Sequence, residues 1–260
     1  MPTWNSRGLR GSTLEDLINM SNDKYRISHL ALVQKIPTPI KPINIDQSTR
    51  HITLAYFDQK STVDYIGVVQ GIPVCFDAKE CATDTFPIQN IHEHQIEFMR
   101  EFEKQDGISF IIIYFSSRDE FYYVPFSDII SFWERSENGG RKSFTYKEIN
   151  QNFRIYANQG IPVHYLETIQ KDMYDRAKAF LDSHIDFAET MDEMNEKFNT
   201  KRGFIKAKWC GSAECEDEIK AATGGATTRC ICKEDQVKDG DTCIFCGKQD
   251  KHVVYFGKAY

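Results

Sequence analysis

The segment Ser61-Thr-Val-Asp-Tyr-Ile-Gly-Val-Val-Gln-Gly-Ile-Pro-Val-Cys-Phe-Asp-Ala-Lys-Glu80 holds residue types that could bind a metal ion and work on a phosphodiester. Two short runs rich in β-branched residues flank Gln70-Gly71, which predicts two strands joined by a tight turn. Pairing Val69 with Ile72 sets Asp64 opposite Asp77 and Thr62 opposite Lys79. Side chains alternate along a strand, so these four share one face, while Val74, Phe76 and Ala78 take the other. Like charges directly opposite are unfavourable. At ~5 Å and an effective dielectric of ~20, two carboxylates repel by roughly 3 kcal/mol. A divalent cation would offset that cost. An Asp set at uneven spacing before Asp-x-Lys is the pattern of metal-dependent nucleases. On this hairpin alone a plainer reading stays open: solvent-facing strand residues, with Gly67 slipping the register through a bulge.

A second cluster lies near the C-terminus. Cys210 and Cys215 form a C-x-x-x-x-C pair, and Cys243 and Cys246 a C-x-x-C pair followed by Gly247. Two such pairs around a small folded segment predict a closed four-thiolate zinc site, structural because no coordination position is left for chemistry. Cys230 and Cys232 are buried small residues or spare thiols. Only Cys75 and Cys81 lie in the first two thirds of the chain, a crowding that suggests metal before disulfides.

The formal charge of -6 is shared between both halves of the 260 residues. Neither half is basic, which argues against a simple polycationic nucleic-acid binder. Metal ions and local cations could still meet phosphates. No apolar run is long enough to span a bilayer, and the first residues lack a signal-peptide core. A cytoplasmic chain without a membrane partner is expected.

The elements that must position these residues are legible in outline. Ser12-Thr-Leu-Glu15 resembles a capping box opening a helix. A strand is predicted over Ile27 to Ile36, then a projecting loop or arm over residues 37 to 51, with Lys41, Arg50 and His51. Ile91, Gln95, Phe98, Met99 and Phe102 make one stripe of a helix. Strands follow at Gly107 to Phe115 and Phe121 to Pro125, a helix at Asp128 to Arg135, and a loop at Asn138 to Lys142. Strands between helices indicate a mixed α/β domain. The character changes near Tyr165, where Leu166, Ile169, Met173, Ala177, Phe180 and Leu181 make an amphipathic helix. Thr190-x-x-Glu193 is a further capping box, and after Gly203 short strands and cysteine-bearing loops are expected.

Two polar residues, Gln95 and Glu15, carry two readings each. Gln95, on the apolar stripe, either bonds the sheet backbone or reaches a metal or its water. Glu15 either completes the capping box or points toward the hairpin. His92 and His94, two apart on a helix, are not expected to face each other or to ligate.

Residues 7 to 166 resemble the RecU family of Holliday-junction resolvases. The matching segments are Arg10-Gly-Ser-Thr-Leu-Glu-Asp-Leu-Ile-Asn19, Lys35-Ile-Pro-Thr-Pro39, Ala55-Tyr-Phe57, Ser61-Thr-Val-Asp-Tyr65, Phe76-Asp-Ala-Lys-Glu80, Phe86-Pro-Ile-Gln-Asn-Ile-His-Glu-His-Gln95 and Gly140-Arg-Lys-Ser143. The resemblance implies a restriction-endonuclease-like core with a central mixed sheet, and a homodimer. It implies Mg2+, with Mn2+ left open, held by the positions of Thr62, Asp64, Asp77 and Gln95. Asp64, Asp77, Lys79 and Glu15 are the expected catalytic residues, Lys79 stabilising the transition state. Arg10, Lys35, Lys41, Arg50, Arg141 and Lys142 are the cations expected on DNA. The family's stalk, which enters a four-way junction, matches residues 37 to 60, and a recombinase or branch-migration partner is implied.

Residues 167 to 260 resemble a different family, the C-terminal zinc-binding domain of prolyl-tRNA synthetases. The matches are Gly203-Phe-Ile-Lys-Ala-Lys-Trp-Cys-Gly211, Cys215-Glu216, Ile219-Lys220, Ala226-Thr-Thr-Arg-Cys-Ile231, Cys243-Ile-Phe-Cys-Gly-Lys248 and Ala259-Tyr260. Its zinc ligands map to Cys210, Cys215, Cys243 and Cys246. Ile231-Cys232 stands where that family has Ile-Pro. The synthetase's aminoacylation core is not matched, so no aminoacylation is expected, and tRNA binding is left open. The sequence therefore predicts a resolvase domain at 1–166 and a small α+β zinc-binding domain at 167–260, joined near Tyr165 to Gln170. The leading expectation is Mg2+-dependent cutting of four-way DNA junctions by paired nicks in recombination and repair. The alternative is a non-catalytic, zinc-containing nucleic-acid-binding module.

Overall fold

A computed structural model describes residues 12–58, 62–235 and 237–259, Ser12 by its backbone only. The chain divides into two compact units, Met1–Asp172 and Met173–Tyr260.

The first unit opens with helix α1 (Ser12–Ile27). The helix absorbs Ile27, which the sequence assigns to a strand. The amide of Ser28 still bonds the carbonyl of Lys24, and His29 then turns left-handed at φ 55° and ends the helix. Strand β1 (Ala31–Lys35) starts only after that turn. The arm is a hairpin rather than a loop: β2 (Ile40–Ile45) and β3 (Ile52–Phe57) pair with each other as a separate two-stranded sheet. Strands β4 (Tyr65–Val69) and β5 (Ile72–Cys81) form the second hairpin. Gln70 at φ 48° and Gly71 at φ 90° close it, the two positive values that a tight hairpin turn requires.

Short β6 (Thr85–Pro87) leads to helix α2 (Glu93–Glu103), strands β7 (Ile108–Phe115) and β8 (Glu120–Pro125), helix α3 (Phe126–Glu137), and the short strands β9 (Ser143–Thr145) and β10 (Arg154–Ile155). The main sheet runs β1-β4-β5-β7-β8-β10, with β5 and β7 parallel and the other pairs antiparallel. Cys75, Ile111, Ile113, Phe115 and Val124 pack on α2 and α3 through Ile96, Met99 and Ile129. The opposite face carries an aromatic stack, Tyr65 on Phe76 at 4.7 Å and Phe76 on Phe110 at 4.6 Å. Tyr165 closes over it from the start of helix α4 (Tyr165–Ser183), beside Tyr25 of α1. The buried positions of α4 are Tyr165, Leu166, Thr168, Ile169 and Asp172, so its first two turns belong to the first unit.

The second unit contains β11 (Ile185–Phe187), α5 (Met191–Thr200), β12 (Phe204–Trp209), α6 (Ala213–Thr223), β13 (Ala226–Ile231) and β14 (His252–Lys258). Its sheet runs β11-β12-β14-β13. Ile205, Ala207, Ala226, Val254 and Phe256 face a core closed by Met194 and Phe198 of α5 and Ile219 of α6. Thr190 caps α5, accepting from the amide of Glu193, while the Glu193 carboxylate bonds the amide of Glu189. Helix α6 was not expected where cysteine-bearing loops were foreseen. It starts from the Ser212 cap and stops at Gly224, φ 69°.

Candidate metal centre and thiol cluster

The β4–β5 register is the one the turn implies, Val69 on Ile72 and Tyr65 on Phe76. No bulge interrupts it at Gly67, which pairs with Val74. The glycine answers a different demand: a Cβ there would lie 2.3 Å from the Leu32 carbonyl oxygen and 2.6 Å from the Cα of Val33 on β1.

One residue beyond the ladder, Asp64 and Asp77 interlock. The amide of Asp64 donates to Asp77 Oδ1 at 2.8 Å, and the amide of Ala78 donates to Asp64 Oδ2 at 3.0 Å. Asp77 is fully buried. Its Oδ2 accepts from Lys79 Nζ at 2.8 Å and from Gln95 Nε2 at 2.5 Å. Gln95 thus bonds a carboxylate rather than the sheet backbone. Its Oε1 accepts from the amide of His92 at 3.0 Å, which fixes the side chain at the start of α2. Burial, and after it the charge of Asp77, push the Asp64 carboxyl up to about 6, against the Ala78 amide and Lys79. Thr62 precedes this pair and is half-buried.

Two carboxylates crowded this closely, one of them resisting ionisation, are a donor set that fits a hard divalent cation. Gln95 does not present its oxygen to this pair: Oε1 is held by the His92 amide, and it is Nε2 that reaches Asp77.

Glu15 sits on α1, against the other face of the sheet. Its carboxylate bonds Lys35 Nζ at 2.5 Å, and its carbonyl accepts from the Tyr65 hydroxyl. The capping bond expected from Ser12 lies outside the described side chains. The histidines correct the sequence reading. His92 is the residue before α2 rather than part of it, so its ring stacks on His94 at 5.4 Å.

Among the DNA-facing cations, Arg10 lies outside the described residues. Lys35 is paired with Glu15, and Lys41 with Asp58 at 2.7 Å. Arg50 turns the tip of the β2–β3 hairpin at φ 58°. Arg141 is exposed and bonds Ser143, and Lys142 is exposed beside it. The hairpin also exposes Ile43, Ile45, Leu54, Tyr56 and Phe57. The sequence reading noticed only its charges, although the run of apolar residues over 52–57 was the available signal.

In the second unit Cys210, Cys215, Cys243 and Cys246 bring their sulfur atoms within 4.8 Å of one another. Cys215 comes from α6 and Cys243 from the loop before β14, 3.5 Å apart at sulfur. Burial pushes Cys243 up, but the amides of Cys246, Phe245 and Cys210 outweigh it and leave the thiol lowered to about 7. Burial raises Cys210 and Cys215. Amides aimed at one sulfur favour the thiolate that a metal needs. Cys232 is buried and Cys230 exposed, and neither joins the cluster.

The fold defines a mixed α/β domain with a central mixed sheet and a paired-aspartate hairpin, followed by a small cysteine-rich domain. The chain belongs to the RecU family: the family model described as "Recombination protein U" matches residues 9–171. Relatives called "Holliday junction resolvase RecU" are 43% identical in Levilactobacillus brevis (63% of this chain, 84% of the relative) and 45% identical in Bacillus pumilus (54% and 69%). The relative in Oenococcus oeni is 38% identical (63% and 86%). A second model, "Prolyl-tRNA synthetase, C-terminal", matches residues 191–260. A solved prolyl-tRNA synthetase from Cryptosporidium parvum is similar at 18% identity and TM-score 0.37, over 74% of this chain and 41% of that one. A likeness of that size carries no structural conclusion. No helix among the described residues is long and apolar enough to cross a membrane.

Proposed function

We propose that this chain is a divalent-metal-dependent endonuclease that resolves four-way DNA junctions by paired symmetric nicks in recombination and repair. The observation that carries this reading is the contact set of Asp64, Asp77, Lys79 and Gln95, built on the buried Asp77, within a RecU-family chain. Asp64 and Asp77, with Thr62, would hold Mg2+, and Gln95 would join them only by releasing the His92 amide. The bound ion supplies a water of lowered pKa and polarises the scissile phosphate.

The residues do the rest. Gln95, locked by the His92 amide, keeps the Asp77 carboxylate in one orientation. Lys79 is a charge held at the reacting edge, able to turn from Asp77 to the phosphate oxygens as negative charge develops. Glu15, the remaining catalytic candidate, is ion-paired with Lys35 beside Tyr65 and would have to release Lys35 to act on the metal or its water. The exposed β2–β3 hairpin is the part that enters the junction, and Lys35, Lys41, Arg50, Arg141 and Lys142 contact backbone phosphates. A homodimer suits the chemistry, because a two-fold enzyme offers two sites to a pseudo-two-fold substrate. The four cysteines hold zinc, a closed set that supports folding and leaves no position for catalysis. The cytoplasm is the proposed location.

The test is cleavage of a labelled four-way junction against matched linear duplex in Mg2+. Paired junction nicks by the wild type, lost in Asp77→Asn, support the reading. Full cleavage by folded Asp77→Asn overturns it.

A further inference from the structure

The second unit covers one face of its sheet with α5 and α6, through Ile205, Ala207, Val254 and Phe256. Alternation sends Phe204, Tyr255 and the bare Gly257 to the other face. Phe204 lies directly opposite Gly257 in the ladder. The pairing of β13 with β14 shifts between Thr228 and Cys230, so Arg229 sits at an irregularity that re-aims its side chain. A Cβ at Gly257 would lie 3.0 Å from both Arg229 Nε and Phe204 Cε1. The absence of a side chain there is what lets the guanidinium and the ring approach each other.

Two cavities share Phe204 and Arg229 as a common wall. One, of about 220 Å3, is apolar and lined by Leu181, Ile185 and Tyr255 besides that wall. The other, of about 540 Å3, adds Arg202 and Lys258. Among the described residues no carboxylate lines either one. Arg229 donates to the Gly257 carbonyl and Lys258 to the Thr223 carbonyl. Among the described residues neither is ion-paired, so both keep further donors for a ligand.

We propose that these paired cavities bind single-stranded nucleic acid, a base against Phe204 and Tyr255 and its phosphate between Arg229 and Lys258. An aromatic wall beside a carboxylate-free cationic pocket matches the base-then-phosphate alternation of a strand. Stacking of this kind tolerates any base. The site is independent of the metal centre in the first unit.

Cys230 is exposed and lines the apolar cavity, which makes it a local reporter. The experiment is maleimide alkylation of the full chain without added divalent metal, read at Cys230 by peptide mass spectrometry. The probes are a thymidine 12-mer, thymidine monophosphate at equal nucleotide concentration, and a glutamate-rich peptide. The 12-mer is expected to slow alkylation at least several-fold. Phe204→Ala or Arg229→Gln should weaken that protection about tenfold relative to each variant's own free rate, and Arg229→Lys should restore part of it. Absence of protection, or protection that survives both variants, overturns the proposal. Equal protection by the monophosphate assigns the site to free nucleotides instead, and equal protection by the peptide to an acidic protein; either overturns the strand reading. Cleavage is not part of the readout, so the nuclease reading and this one fail separately.

Discussion

Asp64 and Asp77 hold each other through the backbone: the amide of Asp64 bonds the Asp77 carboxylate at 2.8 Å, and the amide next to Asp77 bonds the Asp64 carboxylate at 3.0 Å. Two like charges are therefore fixed close together by donors that cannot move away. The repulsion is built into the register of the hairpin.

Lys79 touches Asp77 and Gln95 orients it. Lys79→Ala is expected to lower junction cleavage by about 10²–10³-fold with binding retained. Gln95→Ala leaves a buried carboxylate oxygen short of a donor and should lower both activity and thermal stability. Single-turnover cleavage together with a melting curve separates the two effects. Unchanged turnover in Lys79→Ala would remove it from the mechanism.

Burial and the charge of Asp77 push the Asp64 carboxyl up to about 6 in the folded chain, above the unfolded value of roughly 3.9. The folded state then binds the extra proton between these values, so this group's contribution to stability falls as pH rises from about 4 to 6. Metal competes with that proton. The rise in Tm on adding Mg2+ should be larger at pH 7.5 than at pH 5, and Asp64→Asn should flatten the difference. Equal shifts at both pH values would detach Asp64 from the metal.

Gly67 meets the backbone of β1 where a Cβ would stand. Gly67→Ala is expected to cost about 2 kcal/mol or more by pushing β1 off β4. Gly71→Ala, strained at φ 90° in open space, should cost about 1 kcal/mol. Hydrogen exchange resolved to residues 31–35 should rise in the first variant and not the second.

Removing metal from the thiol cluster should unfold the second unit and leave the first intact. Limited proteolysis after chelation, with metal content measured in parallel, reads this directly. Cys243→Ser is expected to lose the ion, while Cys230→Ser and Cys232→Ser keep it. Metal retained by Cys243→Ser would exclude it as a ligand.

The hairpin around Gln70-Gly71 was legible because a period of two and a two-residue turn leave one register. The four cysteines were legible from spacing. Helix α6 was hidden because Glu214, Glu216, Asp217 and Glu218 swamp its short buried stripe of Cys215, Ile219 and Thr223. The stacking of His92 on His94 was missed because the helix boundary falls between them. Gly67 invited a bulge because its partner strand arrives from more than thirty residues away.

The sequence by itself determined which side chains share a strand face and which thiols come in pairs, since both follow from local backbone periodicity. Only the tertiary structure decided that Gln95 meets Asp77 and that Glu15 is held by Lys35. It also decided that Phe204 and Arg229 meet over Gly257. Those contacts depend on how separate elements pack, and packing is set by the summed fit of a whole core rather than by any stretch of residues within it.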